Sequence, residues 1–212
     1  MHVMNRKLKW ILLGAILSVI GYFVVVTIVD ANLMGLATPS FANRLQKESY
    51  LTNGSARVDM QTGFKCSAFS SAYVLRRFGT DAQGDSIYEE MPYKMDDGYV
   101  YPKGILSLFA SKGYGSEYHI GNLTALKNAI ASGNPVIVMI KIRPDKDWLH
   151  YVPVVGYTTD SLYIAESLPE LCNTAGTNYT RNISTEDFKR LWNTAAFKMP
   201  LCRNTFIVVK KP

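Results

Sequence analysis

Residues 150–167 read HYVPVVGYTTDSLYIAES and have the composition of a β-hairpin. Residues 151–157 and 161–165 are rich in β-branched and aromatic side chains, which favour strands. The polar residues 158–160 between them are typical of a turn. Because a hairpin brings the outer ends of its two strands together, we expect His150 and Glu166 to lie close to each other.

The segments on either side of this hairpin predict an α+β domain. Residues 136–142 (VIVMIKI) have the β-branched composition of a buried strand, and residues 205–210 (TFIVVK) predict another. Residues 184–192 (STEDFKRLW) begin with hydroxyl and acidic residues, as a capped helix does. Further helices are predicted over residues 66–79, 104–111 and 123–132. Helices followed by a mostly antiparallel sheet define the α+β class.

Residues 10–29 (WILLGAILSVIGYFVVVTIV) contain no charged side chain. At about 1.5 Å per residue, such a helix would cover roughly the 30 Å of a bilayer core. Arg6, Lys7 and Lys9 precede it, and basic residues resist translocation. We therefore expect a cytoplasmic N-terminus and an extracytoplasmic C-terminal part. The alternative is a signal peptide cleaved near Ala31, which would release the protein on the same side of the membrane.

These features divide the chain into four predicted segments. They are a basic cytoplasmic N-terminus over residues 1–9, a transmembrane anchor over 10–29, a spacer over 30–58 and a folded domain over 59–212. The spacer is rich in Asn, Ser, Thr and Gly and has no clear periodicity. Basic residues do not cluster with interleaved aromatics, so the expected partner is a membrane and no nucleic acid is expected.

The sequence contains three cysteines, Cys66, Cys172 and Cys202. Extracytoplasmic compartments permit disulfides, and Cys172 and Cys202 flank a polar segment near the C-terminus. A disulfide between these two residues is therefore predicted, with three unpaired thiols as the alternative. No Cys or His pair has the spacing of metal ligands, so neither a metal nor another cofactor is expected.

Cys66 begins the predicted helix over residues 66–79. The partial positive charge at a helix N-terminus stabilises a thiolate, although a lone cysteine there is more often a small core residue. Gln61 lies five residues upstream in a Gly-containing turn, where its amide N–H can face an oxyanion. A solvent-facing loop glutamine is the simpler interpretation of that residue alone.

His150 is the candidate partner of this cysteine, because a histidine at a strand edge can hold a thiolate as an ion pair. His2 belongs to the predicted cytoplasmic segment, and His119 is interpreted as preceding a loop without a supporting strand. A third residue should orient the imidazole from its other nitrogen. Glu166 is the candidate for that role, and Ser167 is a weaker, uncharged one.

The order Gln61, Cys66 at a helix start, and then the motif HYVPVVGY beginning at His150 resembles papain-like cysteine peptidases. Within that group it is most similar to the bacteriocin-leader-processing (double-glycine) peptidases and their stand-alone secreted relatives. The resemblance implies a papain-like fold, with Cys66 as nucleophile and His150 as base. It further implies that Gln61 donates to the oxyanion and that Glu166 orients His150. The family more often has Asp, commonly followed by Pro, where Glu166 stands.

The sequence thus leads to the hypothesis of a membrane-anchored, extracytoplasmic thiol peptidase or amidase that cleaves peptide or isopeptide bonds. Its substrate would be a peptide or a peptidoglycan-derived peptide. Two alternatives on the same fold remain open: a catalytically dormant peptide- or cell-wall-binding module, and a cysteine acyltransferase or transpeptidase. Residues 80–101 and 168–183 are predicted to be irregular, and loops of this kind set specificity in such clefts. Five aromatic residues are candidates for lining a substrate groove: Tyr88, Tyr93, Tyr99, Tyr101 and Trp148.

Overall fold

The computed structural model describes residues 6–54, 56–196 and 199–211. Residues 1–5, 55, 197–198 and 212, which belong to three of the four predicted segments, lie outside the described residues. The helices are α1 (Arg6–Met34), α2 (Cys66–Arg77), α3 (Gly84–Glu90), α4 (Pro102–Ser111), α5 (Leu123–Ala131) and α6 (Thr185–Trp192). The strands are β1 (Thr38–Ser40), β2 (Tyr50–Leu51), β3 (Gly115–Gly121), β4 (Val136–Lys141), β5 (Leu149–Tyr157), β6 (Ser161–Ile164), β7 (Arg181–Ser184) and β8 (Thr205–Lys210).

All of the described strands belong to one sheet, in the order β1-β3-β8-β4-β5-β6-β7, with β2 paired to β5 outside this path. The β1–β3 pair is parallel and the other pairs are antiparallel. The predicted hairpin is formed by β5 and β6, and β4 pairs with β5 so that Ile140 lies opposite His150. The α+β class and the mostly antiparallel sheet are confirmed.

Helices cover both faces of the sheet. On one face, Ile137 and Met139 of β4 join the core that includes residues of α2, α3 and α4. On the other face, Val138 and Ile140 of the same strand join the core formed with α5 and α6. Because both faces are covered, β5 is buried along its whole length and its sequence is an almost continuous apolar run.

Strand β3 does not appear in the sequence prediction, because GSEYHIG has two glycines and little apolar alternation. It is stabilised by its neighbours, as β1 pairs on one side and β8 on the other. His119 lies on this strand, opposite Phe206 of β8. The interpretation that His119 lacks a supporting strand is therefore wrong.

The predicted spacer over residues 30–58 contains two strands of the domain's own sheet. Thr38 of β1 lies opposite His119, and Tyr50 of β2 lies opposite Tyr157. Gly156 permits the second approach, since a Cβ there would lie 2.6 Å from the Tyr50 carbonyl oxygen. Strands this short carry no periodic pattern of their own and become ordered by pairing, which is why the sequence indicated only a spacer.

Helix α1 extends the predicted segment 10–29 at both ends. Most of its apolar side chains are exposed, and its most hydrophobic 18-residue window has a mean hydropathy of 2.6. Among the described residues it is the one helix that is long and apolar enough to cross a membrane. Its last residue, Met34, is buried in the same core as α2 and α4, so the helix ends against the domain.

Candidate active site

Helix α2 holds Cys66 at its first residue and carries it into the protein interior. Residues 66–75 are all buried, as expected of a helix that runs through a core rather than along its surface. The Ser70 hydroxyl donates a 2.8 Å hydrogen bond to the Tyr151 carbonyl and so ties α2 to β5. Lys65, the N-cap residue, provides no side-chain cap, so its side chain does not occupy the N–H groups of the first turn.

Strand β5 brings His150 to the start of this helix, where its imidazole lies beside the Cys66 thiol and both residues line one cleft. The other side of the ring meets Glu166, two residues beyond the end of β6, with 2.6 Å between His150 Nε2 and Glu166 Oε1. Since Nε2 is engaged by Glu166, Nδ1 is the nitrogen left for Cys66. All three side chains are buried, and the structure brings together the three residues that the sequence singled out.

The protonation of this array is set by competition between burial and charge. Burial alone would lower the pKa of His150, but the Glu166 charge and the hydrogen bonds to Cys66 and Glu166 outweigh it and raise that pKa from 6.5 to about 10. Burial would raise the pKa of Glu166, yet His150, the Leu168 N–H and Arg181 together lower it. At neutral pH His150 is therefore an imidazolium, and it lies next to Cys66.

Glu166 is fixed through both carboxylate oxygens. Oε1 also accepts a 2.9 Å hydrogen bond from the Leu168 N–H, and Oε2 accepts one of 3.1 Å from Arg181 Nη1. The Thr180 hydroxyl accepts from the Glu166 N–H and donates to the Glu166 carbonyl, both at 2.8 Å. These contacts hold a glutamate at a position where the family that the sequence resembles more often has aspartate.

Sequence reasoning missed Arg181 and Thr180. Both lie in a segment predicted to be irregular, and β7 has four residues whose order comes from pairing with β6. An arginine in a polar segment is usually solvated, so nothing in its local sequence distinguished it.

Gln61 lies in the same cleft and is anchored to the residue after Glu166. Its Oε1 accepts a 2.7 Å hydrogen bond from the Ser167 hydroxyl, and its backbone N–H donates to the Ser167 carbonyl at 2.8 Å. Its Nε2 donates to the Gly63 carbonyl at 2.9 Å, and a carboxamide nitrogen carries a second hydrogen. Ser167, the weaker candidate for the third position, therefore holds Gln61 instead of His150.

The cleft beside Cys66 and His150 has a volume of about 220 Å³. Three aromatic residues contribute to its walls, with ring centroids 5.3 Å apart for Phe64 and Tyr99 and 6.1 Å apart for Phe64 and Trp148. Tyr99 and Trp148 were among the predicted groove residues. Tyr88, Tyr93 and Tyr101 are not among the described residues that line this cleft.

The predicted disulfide is wrong: within the described chain no bond joins Cys172 to Cys202. Cys172 Sγ lies 3.6 Å from the Glu166 carbonyl oxygen and 3.4 Å from that of Leu168. Cys202 is buried elsewhere, with its sulfur 3.0 Å from the Met199 carbonyl oxygen. Their order along the chain suggested a pairing, but the two sulfurs face carbonyl groups of different segments.

Comparisons with known proteins agree with this arrangement. The family described as Peptidase_C39 like family matches residues 52–199, a range that begins inside the predicted spacer. No curated protein sequence is significantly similar to the chain.

Three solved structures share the fold. A C39-like peptidase from Bacillus anthracis has 15% identity over 78% of this chain and 99% of its own, with a TM-score of 0.58. A double glycine motif protease from an AMS/PCAT transporter, in complex with the leader peptide, has 17% identity over 78% and 100%, with a TM-score of 0.54. The Carica candamarcensis cysteine protease CMS1MS2, in complex with E-64, has 16% identity over 78% and 99%, with a TM-score of 0.50.

These similarities confirm the resemblance to papain-like cysteine peptidases and the papain-like fold. At such low sequence identity, the similarity to the solved structures is evidence for the fold alone. The family match covers most of the chain. The chain belongs to the Peptidase_C39 like family.

Proposed function

We propose that this chain is a membrane-anchored, extracytoplasmic cysteine peptidase or amidase. Cys66 is the nucleophile, His150 the general base and acid, Glu166 the residue that orients His150, and Gln61 an oxyanion donor. One observation carries the proposal: a buried imidazole that lies beside the Cys66 thiol on one side and is hydrogen bonded to a carboxylate on the other. The elevated pKa of His150 favours the imidazolium, which is the partner that a thiolate requires.

In the first half of the reaction, Cys66 Sγ attacks the carbonyl carbon of the substrate amide and forms a C–S bond. The carbonyl oxygen becomes an oxyanion, which the second N–H of Gln61 Nε2 and the Cys66 backbone N–H stabilise. When this intermediate collapses, the C–N bond breaks and His150 gives its proton to the leaving amine.

In the second half, the neutral His150 takes a proton from water as the water oxygen attacks the thioester carbonyl. Collapse breaks the C–S bond, releases the acid and restores the thiolate beside the imidazolium. Glu166 keeps the ring in the orientation that both proton transfers need, since it binds Nε2 throughout.

The proposed location rests on α1 and on the basic residues before it. The length, hydropathy and exposed apolar side chains of this helix support a membrane span, and the basic residues before it support a cytoplasmic N-terminus. Protease treatment of intact cells tests this orientation. We expect the C-terminal domain to be degraded, whereas an intact domain that becomes sensitive only after lysis would contradict an extracytoplasmic position.

The substrate class is a peptide. The cleft is lined largely by aromatic and aliphatic side chains, among them Phe64, Tyr99, Trp148 and Leu168, with Glu170 contributing a carboxylate. Such walls suit an extended peptide segment, and a structural relative was solved with a leader peptide bound. Incubating the full-length chain in detergent with peptide and peptidoglycan fragments, and adding an amine acceptor, separates hydrolysis from acyl transfer by the products formed.

A thiol-directed acylating probe at neutral pH tests the nucleophile. We expect wild-type protein to be labelled at Cys66 and Cys66→Ala to lose the labelling. Cys172→Ala is the matched control, because Cys172 is half-buried and should not be the labelled residue. Labelling that persists unchanged in Cys66→Ala would rule out the assignment, and a wild-type protein that is never labelled would favour a dormant binding module.

A further inference from the structure

We infer that Arg181 is a positioning residue for the Cys66–His150 pair and that it acts through Glu166. The inference rests on the proposed function and adds a fourth member to the array, on a strand that the catalytic motif does not include. Arg181 is the first residue of β7, where it lies opposite Ile164, two residues before Glu166. The pairing of β7 with β6 therefore brings the guanidinium to the carboxylate.

The two carboxylate oxygens of Glu166 contact different partners, His150 and Arg181. Oε1 meets His150 Nε2 at 2.6 Å, and Oε2 meets Arg181 Nη1 at 3.1 Å. Among the hydrogen bonds of the described residues, the one from Arg181 is the one that reaches Oε2. Because His150 binds one carboxylate oxygen and Arg181 binds the other, the two contacts restrict rotation of the carboxylate. Oε1 therefore continues to face the imidazole.

Burial strengthens the interaction between Arg181 and Glu166. The Glu166 side chain is fully buried and that of Arg181 is 11% exposed, so water screens the pair little. A buried carboxylate with an unsatisfied oxygen is costly, and it can relieve that cost by rotating or by taking up a proton. Either change would weaken its hold on His150. Glutamate has one methylene more than the aspartate usual in the family and therefore more rotational freedom to restrict.

Arg181 has no access to the reacting atoms. It does not line the cleft that holds Cys66, His150 and Gln61, but a separate surface depression that includes Arg143 and Asn182. The ionisable groups around Glu166 are His150, Arg181 and Cys172, and His150 also faces Cys66. The hydrogen-bonded route from Arg181 towards Cys66 therefore runs through Glu166 and His150.

A double-mutant cycle tests this route without knowledge of the substrate. The readout is the rate constant for alkylation of Cys66 by iodoacetamide at pH 6 in the full-length chain, resolved by mass spectrometry of the Cys66 peptide. We expect Arg181→Gln to lower this rate about tenfold, as loss of an orienting contact commonly does. The acid limb of the pH profile should move to higher pH, because Glu166 then takes up a proton more readily.

The same substitution in a Glu166→Gln background should change the rate by less than about twofold, since its route of action is gone. Arg181→Lys should recover part of the rate, because it keeps the charge but not the planar donor fork, and it provides a second variant where Arg181→Gln folds poorly. Arg190→Gln is the matched control, since Arg190 forms an exposed ion pair with Asp187. It should leave the rate unchanged.

Two results would overturn the inference. One is an equal loss in the wild-type and Glu166→Gln backgrounds, which marks a general structural role for Arg181. The other is no loss in either. Both differ from failure of the proposed function, in which wild-type Cys66 itself is unreactive at pH 6.

Discussion

Among the described residues, two histidine–glutamate pairs have the same residue types and different surroundings. In the first, His150 Nε2 and Glu166 Oε1 are 2.6 Å apart and the side chains are 2% and 0% exposed. In the second, His119 Nε2 and Glu117 Oε2 are 3.2 Å apart and the side chains are 17% and 49% exposed. Both histidines lie on strands of the same sheet.

The neighbours of the two pairs explain the difference. His150 has Cys66 on its far side, and Glu166 has Arg181. The imidazole of His119 packs against the Phe206 ring with 5.2 Å between centroids, and Glu117 also meets Lys210 at 2.5 Å. The residue types of a histidine–glutamate pair are therefore insufficient to define the proposed site. Burial, which strengthens the electrostatic interaction, and a nucleophile on the second ring nitrogen are what the first pair adds.

The largest expected difference between the pairs is in the reactivity of Cys66. His150→Gln removes the imidazolium, so labelling of Cys66 by an acylating probe at pH 6 should fall by about 100-fold or more. His119→Gln should stay within about twofold of wild type. The comparison would break if the two substitutions had equal effects on the labelling rate.

The next difference is in stability. Glu166→Gln leaves a buried imidazole and a buried guanidinium without their carboxylate, and we expect the free energy of unfolding to fall by about 3 kcal/mol. Glu117→Gln disrupts exposed pairs that water and salt screen, and should cost below about 1 kcal/mol. Urea denaturation of both variants, followed by circular dichroism, measures this. Similar losses of unfolding free energy in Glu166→Gln and Glu117→Gln would show that burial does not make the first pair more stabilising than the second.

The pH dependence of stability sharpens the comparison further. The pKa of His150 is raised to about 10, so between about pH 6.5 and 10 the folded state keeps a proton that the unfolded state loses. The contribution of His150 is complete below pH 6.5 and declines as pH rises, by at most about 1.4 kcal/mol per pH unit. The contribution of Glu166, whose pKa is lowered, is present above about pH 4.3 and is lost as pH falls through its folded value.

The pair therefore stabilises the fold most between about pH 4.3 and 6.5. His150→Gln should remove the alkaline decline that this residue causes, whereas His119→Gln should keep it. Urea midpoints measured from pH 5 to 10 for the three proteins provide the test. An alkaline decline of the same slope in His150→Gln would contradict the raised pKa.

The smallest effect is expected at the exposed pair's second partner. Lys210→Gln removes the ammonium from Glu117, and both side chains are about half exposed. The free energy of unfolding should change by less than about 1 kcal/mol, and Cys66 labelling should not change. A substantial loss of Cys66 labelling would contradict this expectation and would show that Lys210 influences the reactivity of Cys66.

How much of the site was predictable depends on how local each contact is. His150 and Glu166 are joined by one hairpin, so two segments of strand-like composition and a turn sufficed to bring them together. Arg181 reaches Glu166 only because β7 pairs with β6, and the four residues of β7 have no pattern that predicts this pairing. The same holds for β1 and β2 in the predicted spacer. The disulfide prediction was wrong because spacing along the chain does not determine the distance between two sulfurs.

Two cysteines of the same wild-type molecule provide the decisive test of the thiolate–imidazolium pair. Iodoacetamide alkylation rates of Cys66 and Cys172 are determined by peptide-resolved mass spectrometry from pH 5 to 9. Burial raises the pKa of the Cys172 thiol, so its rate should fall on the order of 100-fold between pH 8 and pH 6. Cys66, paired with the His150 imidazolium, should change by less than about threefold over the same range. A Cys66 rate that falls in parallel with that of Cys172 would contradict the thiolate–imidazolium pair.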